Sequence, residues 1–536
     1  MVAEAAGLLD SLVAQPWGQV SPSVYETARV VSYLPWLAGQ GGRVAYLLAG
    51  QRPDGAWGGP DGYALVPTLS AVEALLTLLA RGDPAECPAV GRQVMVAATD
   101  RGLRALWRLL HDPARVALPD TPAIEIIVPA LVEAVNAHLV RLGDARLESA
   151  DWLGPADWLG GARLPQPPGV NPETVRMVRA RLDAGTAVPA KFLHSLEIFG
   201  AAGPVRPVAP GTIGASPAAT AWWLAGNPPA GQAGAARRYL ETVAAHHDGP
   251  VPSVVPVTMF ERTWVLSGLF RAGIRVPVPR SLVADLASDL GASGAAGGAG
   301  LPADADTTSV ALLTLRQLGH RPDLECLWAF RTDGHFCTWP GERTASVTTN
   351  AHVLEAFGQH VEDAAGTPDR HSRPVRHSKM VYRLVEWLSG QQRTDGSWTD
   401  KWHASPYYAT ACCALALHRY GSRVGALAVR RAVRWLLSTQ DSAGAWGRWG
   451  GTAEETAYAL QVLVLAGRPD EPAVAHAVTR GYRYLRDADG RDPGPSLWHD
   501  KDLYHPVAVV RAAVLAARHL AARHPAARHL GSPAPR

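Results

Sequence analysis

The second half of the chain repeats one pattern of apolar and polar positions. From about Pro302 onward, apolar stretches of three or four helical turns end at a glycine and a polar turn follows, as in TTSVALLTLRQLG, YYATACCALALHRYG and ETAYALQVLVLAG. Strand-type alternation is scarce. The pattern predicts an all-α protein built from αα repeats that close into a barrel. The first half has helices that end in the same way, and they are interrupted by loops such as GASGAAGGAG.

A second repeat combines glutamine, glycine and tryptophan after an apolar helix. It occurs as YLLAGQRPDGAWGG, WLSGQQRTDGSWTDKW and WLLSTQDSAGAWGRWGG, which carry Trp57, Trp398 and Trp446. A glutamine at a helix end can satisfy backbone groups of the neighbouring helix, and the indole can pack beside it. This repeat therefore predicts a fastening between adjacent helical hairpins, which is a structural role.

Composition narrows the class of function. The chain has 536 residues, enough for two or three domains, and a net charge of +3 with no dense basic stripe, which argues against nucleic-acid binding. There is no run of about 18 apolar residues and no secretory pattern at the N-terminus, so we expect a cytoplasmic protein without a membrane span. The 18 tryptophans against 7 phenylalanines favour a site that stabilises a cation with aromatic faces.

The candidate chemistry lies in LPADADTTSVALLTL, where Asp304 and Asp306 precede an apolar helix. Aspartate is a preferred helix N-cap, so capping alone can explain this position. The alternative is an acid. A free aspartic acid has a pKa of about 3.9, but burial and a second carboxyl nearby let such a pair retain one proton near neutral pH.

Several further segments occur in one order along nearly the whole chain. They are SPSVYETARV, IEIIVPALVEA, FLHSLE, VPSVVPVTMFERTWVL, the Asp304 segment, GHFCTWPGERTASVTTNAHVLEAF, KWHASPYYATA and SLWHDKDLY. This series resembles the class II diterpene cyclases. The form Asp304-Ala305-Asp306-Thr307-Thr308 resembles the DxDTT variant of bacterial halimadienyl (tuberculosinyl) and copalyl diphosphate synthases.

The resemblance implies two αα-barrels, called β and γ, with γ inserted after the first helices of β. Mapped onto this chain, β covers residues 1 to 38 plus 259 to 536, and γ covers 39 to 258. A class I α domain is not expected, because the chain has no DDxxD motif. The substrate is expected to enter between the two barrels.

The resemblance also implies an activity. Asp306 would be the general acid that protonates the terminal alkene of a prenyl diphosphate, Asp304 would tune it, and Thr307 replaces the third aspartate of the family motif. Geranylgeranyl diphosphate is the first choice of substrate and farnesyl diphosphate the second. The product would be a bicyclic copalyl-, halimadienyl- or drimenyl-type diphosphate. His194 matches the histidine of a family dyad, with Ser253 in place of its asparagine.

Residues for substrate and metal follow from the same motifs. Lys401, Lys501 and Arg176 match diphosphate contacts, and Asp120 and Glu125 form a thin acidic cluster with Asp112 that is expected to bind Mg²⁺. A diphosphate held by a few basic groups leaves charge that a divalent cation can offset. The residues expected to line the cavity are Trp328, Phe330, Trp339, Asn350, Tyr407 and Tyr408.

Two other functions remain open from the sequence. A squalene-type triterpene cyclase would share the barrels and the glutamine-tryptophan repeats, but it would have no use for Lys401 or Lys501. A non-catalytic αα-barrel binding module would explain the repeats but not the paired aspartates. The expected partner is a small prenyl diphosphate, and the oligomeric state is left open.

Overall fold

A computed structural model provides the coordinates. It describes residues 1–82, 91–111, 118–145, 163–186, 188–199, 205–226, 230–365, 375–487 and 494–526. Asp112, named above with the acidic cluster, lies outside the described residues.

Ten α-helices lie in the described residues of the first half of the chain. They are α1 Val2–Ala14, α2 Val24–Tyr33, α3 Gln40–Ala49, α4 Leu65–Arg81, α5 Arg92–His111, α6 Ile124–Ala145, α7 Pro172–Asp183, α8 Leu196–Phe199, α9 Pro217–Ala225 and α10 Ala230–His246. Short 3-10 helices lie at Asp61–Ala64 and Ala190–Ser195. Several starts are capped by a side chain, as at Ser23 and Ser216.

Ten more helices and one small hairpin complete the described chain. They are α11 Thr258–Arg271, α12 Arg280–Asp289, α13 Ala305–Gln317, α14 Val347–Ala365, α15 Val375–Gly390, α16 Pro406–Tyr420, α17 Ser422–Thr439, α18 Ala453–Ala466, α19 Pro472–Asp487 and α20 Val507–Arg523, with strands β1 Trp498–His499 and β2 Leu503–Tyr504. A 3-10 helix covers Glu325–Phe330. The strands pair antiparallel, with Trp498 opposite Tyr504.

The second half closes into a ring, which we call the first ring. Helices α11, α13, α14, α16, α18 and α20 each pack against the next, and α20 packs against α11. Helices α12, α15, α17 and α19 pack outside them, and α1 packs on α20. One large apolar cluster fills this unit, so the predicted αα-barrel is confirmed.

The first half forms another closed set, the second ring. Its inner helices are α2, α4, α6, α8 and α9, with α9 returning to α2, and its outer helices are α3, α5, α7 and α10. Helix α2 thus packs in the second ring, whereas the sequence-based boundary assigned it to the β domain. All of α2 after Val24 except Tyr33 is buried, and a helix buried on most faces does not reveal which barrel it joins.

The three glutamine-tryptophan repeats make the same contacts. The side-chain amides of Gln51, Gln392 and Gln440 donate to carbonyls of a neighbouring helix, at Ala98, Ala428 and Ala477, over 2.9 to 3.0 Å. The three indole N–H groups donate to the carbonyls of Leu47, Leu388 and Leu436, in the preceding helices. All three tryptophans are fully buried. The repeats therefore fasten hairpin to hairpin, as their sequence predicts.

Within the described residues, one helical stretch is long and apolar enough to cross a membrane, at Asp61–Arg81. Most of it, 83 % of its most apolar window, is buried inside the protein. It is an inner helix of the second ring, where continuous apolar sequence is expected of a helix buried on all sides.

Candidate active site

The acidic segment forms the start of α13. Asp304 is the N-cap, and its Oδ1 accepts a hydrogen bond of 2.6 Å from the backbone N–H of Thr307. Asp304 is also buried, and burial together with the neighbouring Asp306 raises its pKa to about 7. Capping and a raised pKa are therefore not alternatives here, because one carboxyl caps the helix and still retains its proton up to near neutral pH.

Asp306 is the second residue of α13, and its carboxyl has a different hydrogen-bond partner. Its Oδ1 lies 2.6 Å from Nδ1 of His352, which projects from α14. Burial by itself would lower the pKa of His352, but the Asp306 carboxylate outweighs it and holds that pKa well above the usual value. Asp306 keeps 15 % of its side-chain surface exposed, toward a cavity, whereas His352 keeps 6 %.

An aromatic cavity of about 190 Å³ adjoins Asp306. Asp304, Asp306 and Thr307 form part of its wall, and its rings are those of Phe260, Trp264, Trp339, Trp402, Tyr408, Trp498 and Tyr504. The rings brace one another, since Phe260 lies 4.6 Å from Trp264 and Tyr408 lies 4.7 Å from Trp498 between centroids. Such faces stabilise a cation without offering an anion that could capture it.

A second aspartate–histidine pair lies on the same cavity wall. His194 Nε2 is 2.8 Å from Asp500 Oδ1, and Ser253 Oγ donates to Asp500 Oδ2 over 2.8 Å. The other nitrogen of His194 is 2.6 Å from the carbonyl of Gly214. The charge of His194 overcomes burial and lowers the pKa of Asp500, while Asp500 overcomes burial and raises the pKa of His194. Ser253 thus reaches His194 through Asp500.

Charged groups gather beside the cavity at the loop before α14. Lys401 Nζ lies 3.1 Å from Glu342 Oε2 and donates to the carbonyl of Thr344. Asp120, from the second ring, binds Arg343 at 2.5 Å and also accepts from the Thr344 hydroxyl. Lys191 lines the cavity itself. These contacts join residues from both rings at the place where Pro122, Trp339 and Trp402 form the cavity wall.

Lys501 is not where the sequence led us to expect it. Its ammonium is buried, with Glu26 at 2.6 Å, Glu197 at 2.9 Å and the Ser216 hydroxyl at 2.8 Å. Those carboxyls raise its pKa above the ordinary value even though burial opposes them. Lys501 has none of its side-chain surface exposed, so it acts as an internal counter-ion and does not reach a substrate in the cavity.

Four other predicted substrate contacts lie away from the cavity. Arg176 is on the surface and pairs with Glu173. Asn350 is fully buried and holds the backbone of Phe336 and Ser346. Trp328 packs under the guanidinium of Arg376 at 3.7 Å, and Tyr407 packs against Trp435.

Phe330, too, is a core residue, because it belongs to the apolar cluster of the first ring. Of the predicted liners, Trp339 and Tyr408 face the cavity. Rings that neighbour each other in sequence on one helix, such as Tyr407 and Tyr408, point to different sides, and the motif alone does not say which side is the cavity.

Several site residues were missed by the sequence analysis. His352 lies in the segment SVTTNAHVLEAF, two residues after Asn350, and Asp500 lies in LWHDKD beside Lys501. Both are polar residues inside matched segments, which is the signal that could have found them. Lys191 precedes FLHSLE by one residue and had no such signal.

Two closed helical rings and an aromatic cavity with Asp304 and Asp306 in its wall form the architecture of the terpenoid cyclases. Residues 344–506 match the family described as squalene-hopene cyclase C-terminal domain.

Similarity to known proteins narrows this class to one family. The chain is 43 % identical to ent-copalyl diphosphate synthase of Streptomyces sp. (strain KO-3988), over 96 % of this chain and 94 % of that protein. It is 42 % identical to labda-7,13-dienyl diphosphate synthase of Streptomyces clavuligerus, over 96 % and 92 %. The solved structure of ent-copalyl diphosphate synthase from Streptomyces platensis superposes with a TM-score of 0.89 at 43 % identity, over 97 % and 99 %. The chain belongs to the bacterial class II terpene cyclases and is an enzyme of that family.

Proposed function

We propose that this cyclase protonates the terminal alkene of geranylgeranyl diphosphate and forms a bicyclic copalyl-type diphosphate, with the diphosphate retained. The observation that carries the proposal is Asp306, which is bonded to His352 on one side and borders the aromatic cavity on the other. The names of the relatives, copalyl and labdadienyl diphosphate synthases, support this product class.

The roles of the residues follow from their contacts. Asp306 donates the proton, and His352 holds its carboxyl in position. Asp304 fixes the start of α13 and, with its raised pKa, limits the negative charge beside the acid. Trp264, Tyr408 and Trp498 present their faces to the cation and help to exclude water. We assign loss of the final proton to the His194–Asp500 pair, because Asp500 is a carboxylate held charged at the cavity wall.

We also propose that the diphosphate lies at the charged end, near Lys191 and Lys401, and that turnover needs Mg²⁺. Within the described residues no group of three or more His, Cys, Asp or Glu side chains could hold a metal ion. Mg²⁺ in phosphate sites often uses only one or two carboxylates plus the phosphate oxygens, and Asp120 and Glu125 suit that role. In the described chain, no hydrogen-bond partner reaches the buried Glu342 Oε1, which leaves this oxygen as another candidate ligand. When bound, the ion would offset diphosphate charge.

The experiment is incubation of the purified protein with geranylgeranyl or farnesyl diphosphate, followed by phosphatase and gas chromatography with mass detection. A bicyclic C20 alcohol from geranylgeranyl diphosphate is expected. A drimane-type alcohol formed faster from farnesyl diphosphate would replace the substrate assignment, and no product from either would contradict the proposal. Excess chelator is expected to suppress turnover and added Mg²⁺ to restore it. A cytoplasmic location also stays a prediction.

A further inference from the structure

Glu454, the second residue of α18, lies behind the aromatic wall of the reaction cavity. Its Oε1 accepts hydrogen bonds from the indole N–H of Trp498 over 2.8 Å and from the Tyr458 hydroxyl over 3.2 Å. The same oxygen lies 3.2 Å from His403 Nε2. Trp498 lines the cavity, and His403 stacks at 4.8 Å on Tyr408, which also lines it. Glu454 therefore contacts the rings that face the substrate while it is itself buried behind them.

The Glu454 side chain is held as a carboxylate. Burial alone would raise its pKa, but its contacts, led by the hydrogen bond with His403, outweigh burial and lower that pKa. The backbone N–H of Ser405 donates to His403 Nδ1 over 3.0 Å, so Nδ1 carries no proton. The ring proton therefore lies on Nε2 and points to Glu454. His403 is a neutral donor in this arrangement, and it does not cancel the charge of the carboxylate.

This carboxylate has no full positive charge beside it. Within the described residues its ion-pair contacts are to His403 and, from Oε2, to His505 Nδ1 at 3.9 Å, and burial lowers the pKa of His505. The buried Glu73, by contrast, is paired with Arg29 at 2.5 Å. The N-terminus of α18 favours a negative charge, but it supplies only about half of an elementary charge. An uncompensated buried charge is costly, so its presence beside the cavity calls for a cation that arrives later.

The reaction of the proposed function, on which this inference rests, brings a cation to the cavity face of Trp498. We propose that Glu454 is a positioning residue whose carboxylate, acting through Trp498, stabilises the carbocation of the cascade. A carboxylate inside the cavity would capture the cation or take its proton, whereas one behind the indole contributes only its field. In a low-dielectric interior that field acts over several ångströms. The bond from the indole N–H also polarises the ring and strengthens its π face.

Three substitutions separate the charge of Glu454 from its hydrogen bonds. Glu454→Gln removes the charge and keeps an oxygen acceptor for the same donors. Glu454→Asp keeps the charge but shortens the side chain and weakens those bonds. A residue that only holds the wall would tolerate Gln better, whereas a residue whose charge acts on the cation would tolerate Asp better. Glu455→Gln is the matched control, because it makes the same change at the next buried carboxyl, which is bonded by Thr452 and by the backbone N–H of Arg448.

The measurement uses two unreactive prenyl diphosphate analogues and isothermal titration calorimetry. One carries a tertiary ammonium nitrogen in place of a ring carbon that becomes cationic, and the other is its neutral carbon counterpart. Glu454→Gln should lose the preference for the ammonium analogue by about tenfold or more, with the affinity for the neutral one unchanged. Its kcat should fall similarly with little change in KM, while Glu454→Asp keeps more of both and Glu455→Gln matches wild type.

His505→Lys provides a second test that leaves every bond to Glu454 Oε1 in place. The new ammonium lies beside Oε2 and neutralises the carboxylate, so the preference for the ammonium analogue should fall here too, even if Glu454→Gln does not fold. Circular dichroism and thermal unfolding check each variant.

Three results would overturn the proposal. A wild-type preference and kcat in the folded Glu454→Gln or His505→Lys variant would mean that the charge does not reach the cation. A milder effect of Gln than of Asp would mean that Glu454 only holds the wall. Equal losses of affinity for both analogues would mean that the cavity has changed shape. A wild-type protein inactive on both prenyl diphosphates would instead contradict the proposed function.

Discussion

Two aspartate–histidine pairs each place their aspartate at the wall of one cavity, and they differ in how the aspartate is bonded. Among the described residues, the Asp306 side chain makes a single hydrogen bond, to His352 through Oδ1. Asp500 is bonded at both oxygens, by His194 and by Ser253. A carboxyl with one unbonded oxygen can carry a proton to a substrate, whereas a carboxylate bonded at both oxygens is held in its charged form. The same two residue types can therefore serve opposite steps of one reaction.

The largest effect is expected from a substitution that breaks the Asp306–His352 pair. Asp306→Asn keeps the size of the side chain but removes the acid, so cyclisation should fall by about 10²- to 10⁴-fold or more. Asp500→Asn should initiate at a rate much closer to wild type and release altered products, including alcohols formed by water capture. Turnover and product profiles by gas chromatography with mass detection check both. A folded Asp306→Asn variant with most of the wild-type turnover would show that the acid lies elsewhere.

His352→Gln sharpens the role of the first histidine. Glutamine can still donate to Asp306 but carries no charge, so we expect turnover to fall by about 10- to 100-fold. A raised histidine pKa in the folded state stabilises the protein below about pH 6.5, and that stability is lost as pH rises through the folded value. The variant should therefore lose less unfolding free energy than the wild type as the pH rises. Denaturant unfolding across the pH range is the measurement, and identical profiles for both proteins would contradict it.

Variants of Lys501 and Lys401 distinguish a structural role of a lysine from a role in substrate binding. Lys501→Met leaves Glu26 and Glu197 buried without their cation, and removing one partner of a buried pair costs about 3 to 5 kcal/mol. Lys401→Met, at the more accessible lysine, should leave the unfolding free energy nearly unchanged and raise KM. Urea unfolding and steady-state kinetics distinguish the two. Normal stability in Lys501→Met would contradict the counter-ion role.

The smallest expected effect concerns Asp304. Its folded pKa of about 7 lies above the ordinary value, so the folded protein binds the proton more tightly and loses stability as pH rises from about 4 to 7. Asp304→Asn keeps a capping side chain but cannot ionise, so its unfolding free energy should vary less across that range. A slope equal to that of wild type would mean that Asp304 is already ionised in the folded protein.

The ring architecture and the fastening repeats could be predicted because they depend on local period and on contacts between sequential hairpins. The roles of the lysines could not. Lys401 and Lys501 each lie in a matched segment, yet the counter-ions of Lys501 come from Glu26 and Glu197, which are 475 and 304 residues away. Burial of a charged group depends on such distant partners, and a single sequence does not reveal them.

The aromatic residues that line the cavity were equally hard to predict from the sequence, although the contacts that place them are shorter in range. Trp498 and Tyr504 reach the cavity because the β1–β2 hairpin carries them there, and Trp498 is held by its indole N–H donating to Glu454 over 2.8 Å. Two-residue strands leave no periodic signal in the sequence. The paired aspartates could be singled out from the sequence as the candidate acid, whereas the contact of His352 with Asp306 depends on the packing of α13 against α14.

The Glu26–Lys501–Glu197 cluster has a consequence for how the chain is made. During synthesis, the carboxyls of α2 and α8 leave the ribosome hundreds of residues before Lys501 does, so the second ring cannot bury them together with their cation until the C-terminal segment arrives. The first ring likewise closes only when α20 meets α11. Both rings are therefore completed by the last part of the chain, and a nascent protein truncated before Lys501 should remain a substrate for chaperones and proteases.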